Sequence, residues 1–434
     1  DVINSIEYTQ ALVVTGSSTG LAAGAALTVV INSVTYGATV LADGTWSVGV
    51  PAADVANWPT GTVNIAVSGT NTAGTTTSIS HPVTVNLAAV AITINTLSTD
   101  DVINAAEKGT DLQLSGTTSG VEAGQTITVI FGGKSYTTTV AADNTWGLTI
   151  PAADLATLPD GAANIQASVS NVAGNNAQAT HVYSVDATAP SVTINTIASD
   201  DILNAAEAGS ALTISGTSTA EAGQTVTVTL NGINYSGNVQ ADGSWSVSVP
   251  TGDLADLTAS PYTVSAAVSD KAGNPTSATH NLTVDLAAPV VTINTVAGDD
   301  IINATEHAQA QIISGSATGA TTGNTVSVTI GTTTYTTVLD ANGNWSIGVP
   351  ASVISALAQG DVTITATVTD SAGNSGTASH TVSVALGAPI LAINTIAVDD
   401  IINATEKGAD LSISGTSNQP AGTRVTVTLN GQNY

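Results

Sequence analysis

Short runs in which every second residue is apolar recur along the chain, separated by stretches rich in Gly, Asn and Asp. In Thr225-Val226-Thr227-Val228-Thr229-Leu230 the apolar members are Val226, Val228 and Leu230, and Asn231-Gly232 follows. A period of two sends successive side chains to opposite faces of a strand, and Asn-Gly accepts the positive φ angles of a tight hairpin. Similar runs are Val192 to Ile197, Leu212 to Ser215, Trp245 to Val249, Tyr262 to Val268 and Asn281 to Val284. Strands this short, punctuated by turns every roughly 8 to 15 residues, predict an all-β chain of antiparallel two-sheet sandwiches, immunoglobulin-like, with about seven strands each. Helix is expected only as one turn after each PAAD-like element, such as Asp154 to Leu158.

The pattern repeats. DDILNAAE from Asp200 returns as DDVINAAE at Asp100 and DDIINATE at Asp299 and Asp399, with DVINSIE at Asp1, so the spacing is 100, 99 and 100 residues. Trp46, Trp146, Trp245 and Trp345 keep that period after turn sequences such as ADGT, and so do His81, His181, His280 and His380. The expected units are 1–88 (without its first strand), 89–187, 188–286, 287–387 and a partial unit 388–434, stacked end to end as a rod. The last copy stops at Tyr434, equivalent to Tyr36, Tyr136, Tyr235 and Tyr335, and the chain therefore reads as a window onto a longer array. The periodic Trp and Tyr are expected in the cores. Trp58 breaks the period and is the one Trp expected near the surface.

Composition narrows the function. The 434 residues carry 32 Asp plus Glu against 5 Lys plus Arg, a net charge of −27. Phosphate backbones and anionic membranes are recognised by Lys and Arg clusters, so nucleic acid and membrane surfaces are excluded as partners. There is no Cys, hence no disulfide, thiolate metal site or Cys nucleophile. No apolar run approaches the length that spans a bilayer.

The acidic residues fall at predicted domain ends. In an immunoglobulin-like sandwich the DDxxNAAE loop, between the first and second strands, shares one end of its unit with the end of the last strand. The Asp-x-Ala-Gly-Asn turn between the last two strands lies at the opposite end and meets the preceding unit. The second-to-third junction would then gather Asp100, Asp101, Asn104 and Glu107, the linker Asp186, and Asp270 with Asn274. The third-to-fourth would gather Asp200, Asp201, Asn204, Glu207, Asp285, Asp370 and Asn374. Several carboxylates in one place repel unless a cation joins them, and hard oxygen donors in this number suit Ca²⁺ over Zn²⁺ or Mg²⁺.

Local capping is the metal-free alternative: Asn204 three residues before Glu207 is a capping-box pattern, and Asp270 heads an ordinary hairpin turn. The first-to-second junction has Asn86 and Asn171 at two acidic positions and is expected to bind weakly or not at all. At the loop Asp299, Asp300, Asn303 and Glu306 the linker position is Ala385, and the partner turn lies beyond Tyr434.

No nucleophile elbow, phosphate loop or zinc-protease motif is present, and four identical His positions at the domain period read as structural, so no enzyme is expected. His307, beside Glu306, is expected in solvent.

DDxINAAE, the linker VDATAPSVTINT (Val185 to Thr196), DGSWS at Asp242 and the DxAGN turn together resemble the bacterial Ig-like repeats of giant type I-secreted adhesins, nearest to BapA-like members with SiiE-like relatives. That resemblance covers the whole chain. It implies export from a Gram-negative bacterium, a cell-surface or biofilm-matrix location, and Ca²⁺ rigidifying the rod. The leading expectation is an extracellular structural stalk for biofilm formation and cell adhesion, whose partners are neighbouring repeats and other copies in a matrix or filament. Two alternatives stand beside it. The repeats could themselves bind surface sugars or self-associate between cells, or they could be accessory domains of a secreted glycoside hydrolase.

Overall fold

The alternating runs fold as strands. A computed structural model describes residues 1–419 and 421–434. In the fourth repeat one sheet runs, in spatial order, Ile301–Asn303, Ser375–Ala385, Gly360–Thr369, Thr325–Ile330 and Thr333–Val338. The facing sheet comprises Val290–Ile293, Gln311–Thr318 and Asn344–Val349. The same two-sheet plan recurs in the preceding repeats, so the all-β tandem sandwich expected from periodicity is what the chain adopts.

The fourth repeat has eight strands rather than about seven, because part of the acidic loop is itself a strand. Ile301–Asn303 pairs in parallel with Ser383 to Ala385, and Ile202–Leu203 does the same with Thr283 and Val284. Conversely, the first strand is shorter than Val192 to Ile197 suggests: in the third repeat it is one antiparallel bridge between Val192 and Ser218. Turn chemistry behaves as expected. Thr225–Leu230 and Ile233–Asn238 pair across Asn231 and Gly232, whose φ angles are 50° and 77°.

Two helical turns, not one, occur in the complete repeats. The PAAD-like turn begins earlier than Asp154, at Ala152–Leu155, where Pro151 sets the entry and Leu155 plugs into the core. The second turn lies in the acidic loop, as Ala105–Lys108 and Ala205–Ala208, or as 3₁₀ turns at Glu7–Thr9, Glu306–Ala308 and Glu406–Gly408.

Each of the first four repeats has its own core of strand-borne Val, Ile and Leu around the periodic Trp. Trp245 folds back over the strand position opposite it, Gly216. A Cβ there would collide with the Thr193 carbonyl and stand 2.6 Å from Trp245 Cζ2, so the absence of a side chain lets the first strand and the indole close over the sheet. Trp58 is 2% exposed and belongs to the first core, which corrects the surface placement expected for it. It follows the helical turn Ala52–Val55, and its N–H bonds back to Val55 O, bringing the ring inward.

Candidate functional site

The acidic loop is built by backbone demands before any ligand. Asp101, Asp201 and Asp300 have φ of 63°, 66° and 64°, a left-handed conformation that short polar side chains tolerate. Each bends back so that Oδ1 accepts the N–H four residues earlier, from Leu97, Ile197 or Val296, at 2.8 Å. The same oxygen lies 2.7 Å from Nε2 of His181, His280 or His380 on the last strand. The periodic His therefore pins the loop to its own sandwich. These contacts hold all three carboxyls below their usual pKa. At Asp101 burial opposes the shift and the His181 and Leu97 bonds outweigh it. The Ile197 N–H leads at Asp201, and the His380 bond leads at Asp300.

The helical turn that follows carries the expected capping box. Asn104 Oδ1 accepts from the N–H groups of Ala106 and Glu107, and Glu107 Oε2 accepts from Asn104 N. Asn204 and Glu207 form the same reciprocal pair. Asn303 and Glu306 repeat the bonds around a 3₁₀ turn.

The loop, the end of the last strand and the next repeat's turn do meet. Asp186 N bonds to Ile103 O, which places the linker beside the loop. From the third repeat, Asn274 Oδ1 accepts Ala105 N at 2.8 Å while its Nδ2 donates to Asp186 O at 2.9 Å. Asp270 grips the Asn from behind, Oδ1 accepting its backbone N–H and Oδ2 its amide. Asn374, Ala205, Asp285 and Asp370 reproduce this arrangement one repeat on.

The carboxylates themselves are brought together less closely than the loops. Asp100, Asp200 and Asp299 each cap the N–H two residues ahead. Among the described residues no group of three or more acidic or His side chains stands close enough to hold an ion. The donor set nevertheless has the right chemistry for a hard cation, since every side-chain donor is a carboxylate or amide oxygen, with Glu107, Asp186 and Asp270 contributed by three separate elements.

Some contacts carried no expectation. Tyr36, Tyr136 and Tyr235 donate to Asp54, Asp154 and Asp253 at 2.8, 2.6 and 2.8 Å. Burial, then the bonded carboxylate, pushes each phenol up to about 12. The signal was a constant 18-residue spacing, broken at Tyr335 where Val353 replaces the acid. His307 is half-buried and bonds to Leu357 O at 3.0 Å, not solvated as expected, because it occupies the place where Lys108 reaches Leu158 O in the second repeat.

Residues 191–286 and 291–385 match the family described as bacterial Ig-like domain. A solved bacterial immunoglobulin-like domain from the M. primoryensis ice-binding adhesin is 34% identical, covering 23% of this chain and 96% of that one, with a TM-score of 0.19. The chain belongs to the bacterial Ig-like domain family. Its Ig-like repeats are also similar, at 36% identity, to a structure described as a Ca²⁺-stabilized adhesin that helps an Antarctic bacterium reach out and bind ice, covering 89% of this chain and 96% of that one, with a TM-score of 0.40. A structure concerned with host cell surface retention of a 1.5-MDa bacterial ice-binding adhesin is 35% identical, covering 69% of this chain and 98% of that one, with a TM-score of 0.39. Among curated proteins none matches these Ig-like repeats.

Proposed function

We propose that this chain is a stalk segment of a large extracellular adhesin, whose Ig-like domains act as spacers and whose junctions bind Ca²⁺. The observation that carries the reading is the convergence of acidic loop, linker and next-repeat turn at successive junctions. A spacer must transmit load from one domain to the next, and such repeated contacts between neighbours are the means. Similarity to adhesins, one of them described as Ca²⁺-stabilized, supports the same reading.

At the second-to-third junction the residues that would hold the ion are Glu107, Asp186 and Asp270, with Asp100, Asp101, Asn104 and Asn274 around them. The equivalents at the next junction are Glu207, Asp285 and Asp370, with Asp200, Asp201, Asn204 and Asn374. The loop Asp299, Asp300, Asn303 and Glu306 offers one part of such a site. Ca²⁺ supplies a hard multi-oxygen cross-link when bound. The protein's own part is to present the oxygens: the capping box fixes Glu107, the parallel strand pairing fixes Asp186, and the hairpin turn fixes Asp270. Biofilm-matrix or cell-surface placement belongs to the same proposal. No helix among the described residues is long and apolar enough to cross a membrane.

Isothermal titration calorimetry and small-angle scattering test the two parts separately. Three full repeats and a first that lacks only its first strand, with longest strands of 10 or 11 residues, about 35 Å each at roughly 3.4 Å per residue, should give an elongated particle. Two Ca²⁺ ions per chain are expected. A globular scattering profile would overturn the stalk, and absence of Ca²⁺ binding would overturn the ion while leaving the stalk.

A further inference from the structure

We propose that Asn175, Asn274 and Asn374 are latches that dock successive repeats by hydrogen bonds alone, so that each junction keeps one geometry without a cation. The first turn of a helix leaves backbone N–H groups without intrahelical partners. In the acidic loop the capping Asn104 satisfies Ala106 and Glu107, and Glu107 satisfies Asn104. Ala105 N remains, and its acceptor comes from the next repeat, as Asn274 Oδ1. One repeat completes the helix cap of the other.

The Asn side chain is fully committed. It is 1% exposed, its oxygen faces an N–H, and its two amide hydrogens face the Asp186 carbonyl and the Asp270 carboxylate. Rotating the amide by half a turn would set oxygen against oxygen and N–H against N–H, so the orientation is fixed by chemistry. The turn also lies against the loop beside the latch. Gly273 has φ of 91°, and a Cβ on it would stand in ordinary van der Waals contact, 3.6 Å, with Asn104 Nδ2 from the preceding repeat.

The first junction separates this device from the acidic one. It has Asn86 in the linker and Asn171 heading the turn, yet Asn175 Oδ1 accepts Ser5 N at 2.7 Å and Asn175 Nδ2 donates to Asn86 O at 3.0 Å. The latch is intact where charge has been lost. The acceptor and donor on the preceding repeat are both main-chain groups, so the latch needs only the loop's backbone and not its acidic side chains.

The test uses the full chain in chelator. Because the protein has no Cys, spin labels can be placed at Thr137→Cys and Ser236→Cys across the second junction, and at Thr35→Cys and Ser135→Cys across the first. Double electron–electron resonance then reads the distance distribution. Both junctions should give narrow distributions without Ca²⁺. Asn274→Ala should broaden only the second, and Asn175→Ala only the first. Losing two hydrogen bonds of typical net strength shifts the docked-to-undocked ratio by roughly 30-fold. Since Asn274 also shapes its own turn, Ala105→Pro provides an independent break. It replaces the N–H by the ring Cδ, so the bond to Asn274 Oδ1 cannot form, at a position where Pro is accepted, after Asn104 at ψ of 179°. It should broaden the second junction with circular dichroism unchanged. Broad distributions in the unaltered chain, or Ala105→Pro and Asn274→Ala as narrow as the parent, would overturn the latch. Neither result depends on whether Ca²⁺ binds.

Discussion

Gly216→Ala tests whether the first strand is held by close approach of backbone and indole. The added Cβ would meet the Thr193 carbonyl, Trp245 Cζ2 at 2.6 Å and Thr193 C at 2.8 Å, a main-chain group and a buried ring with little freedom to yield. Overpacking of this kind costs ~1–3 kcal/mol when the core can shift around it. Shedding the strand would expose Val192 and Ile197, now 9% and 1% exposed, at ~1.5–3 kcal/mol each. The repeat should take the cheaper course and lose about 3 kcal/mol, a factor of roughly 100 in the local equilibrium. Hydrogen exchange read by mass spectrometry resolves this repeat by repeat, which a single melting curve of a multidomain chain does not. Amides of 191–217 should exchange about 100-fold faster, at that energy, while the equivalent 290–316 segment stays unchanged and serves as an internal control. Gly16→Ala should cost less, since the atoms nearest a Cβ there all belong to the Trp46 ring and none to a main-chain carbonyl. Protection unchanged in 191–217, or lost equally in the fourth repeat, would refute the reasoning.

Trp58→Ala should remove a buried ring and destabilise the first repeat by ~3–5 kcal/mol, seen as selective loss of exchange protection in its strands. Tyr235→Phe should weaken the third repeat by about 1 kcal/mol through loss of one hydrogen bond, whereas Tyr335→Phe, with Val353 at the acid's place, should be close to neutral. Because the phenols of Tyr36, Tyr136 and Tyr235 are raised from 10.0 to about 12, their contribution is complete below pH 10 and fades as pH climbs through about 12. Ultraviolet titration of the phenolates checks this. In acid the sign reverses: Asp101, Asp201 and Asp300 are lowered from 3.8, so their contribution is full above that value and is lost as pH falls through the depressed folded values. Carboxyl chemical shifts followed by NMR should show His280→Ala releasing Asp201 toward its ordinary titration.

The sandwich and the junction were legible in the sequence for one reason: both are written in periodicities, of two within strands and about 100 between repeats. Strand order alone sets DDxxNAAE of one repeat against DxAGN of the next, and Asn274 Oδ1 accepting Ala105 N realises that placement. What did not show was direction. Composition revealed that Asp101 is acidic and near a domain end, but its left-handed backbone turns the carboxyl back to Leu97 and His181. Trp58 misled because a break in period resembles a break in burial, whereas a short helical turn carried the ring inward. Asn274 looked like one more oxygen donor, and its amide hydrogens proved as important as its oxygen.

The central claim is that cations bind where three acidic elements meet and not where charge has been lost. Hydrogen exchange of the whole chain with millimolar Ca²⁺ and with chelator tests it most directly. Protection should rise on Ca²⁺ addition at 100–107 with 270–274, and at 200–207 with 370–374, and stay unchanged at 4–7 and 171–175. No gain at either acidic junction, or an equal gain at the first, would contradict the account.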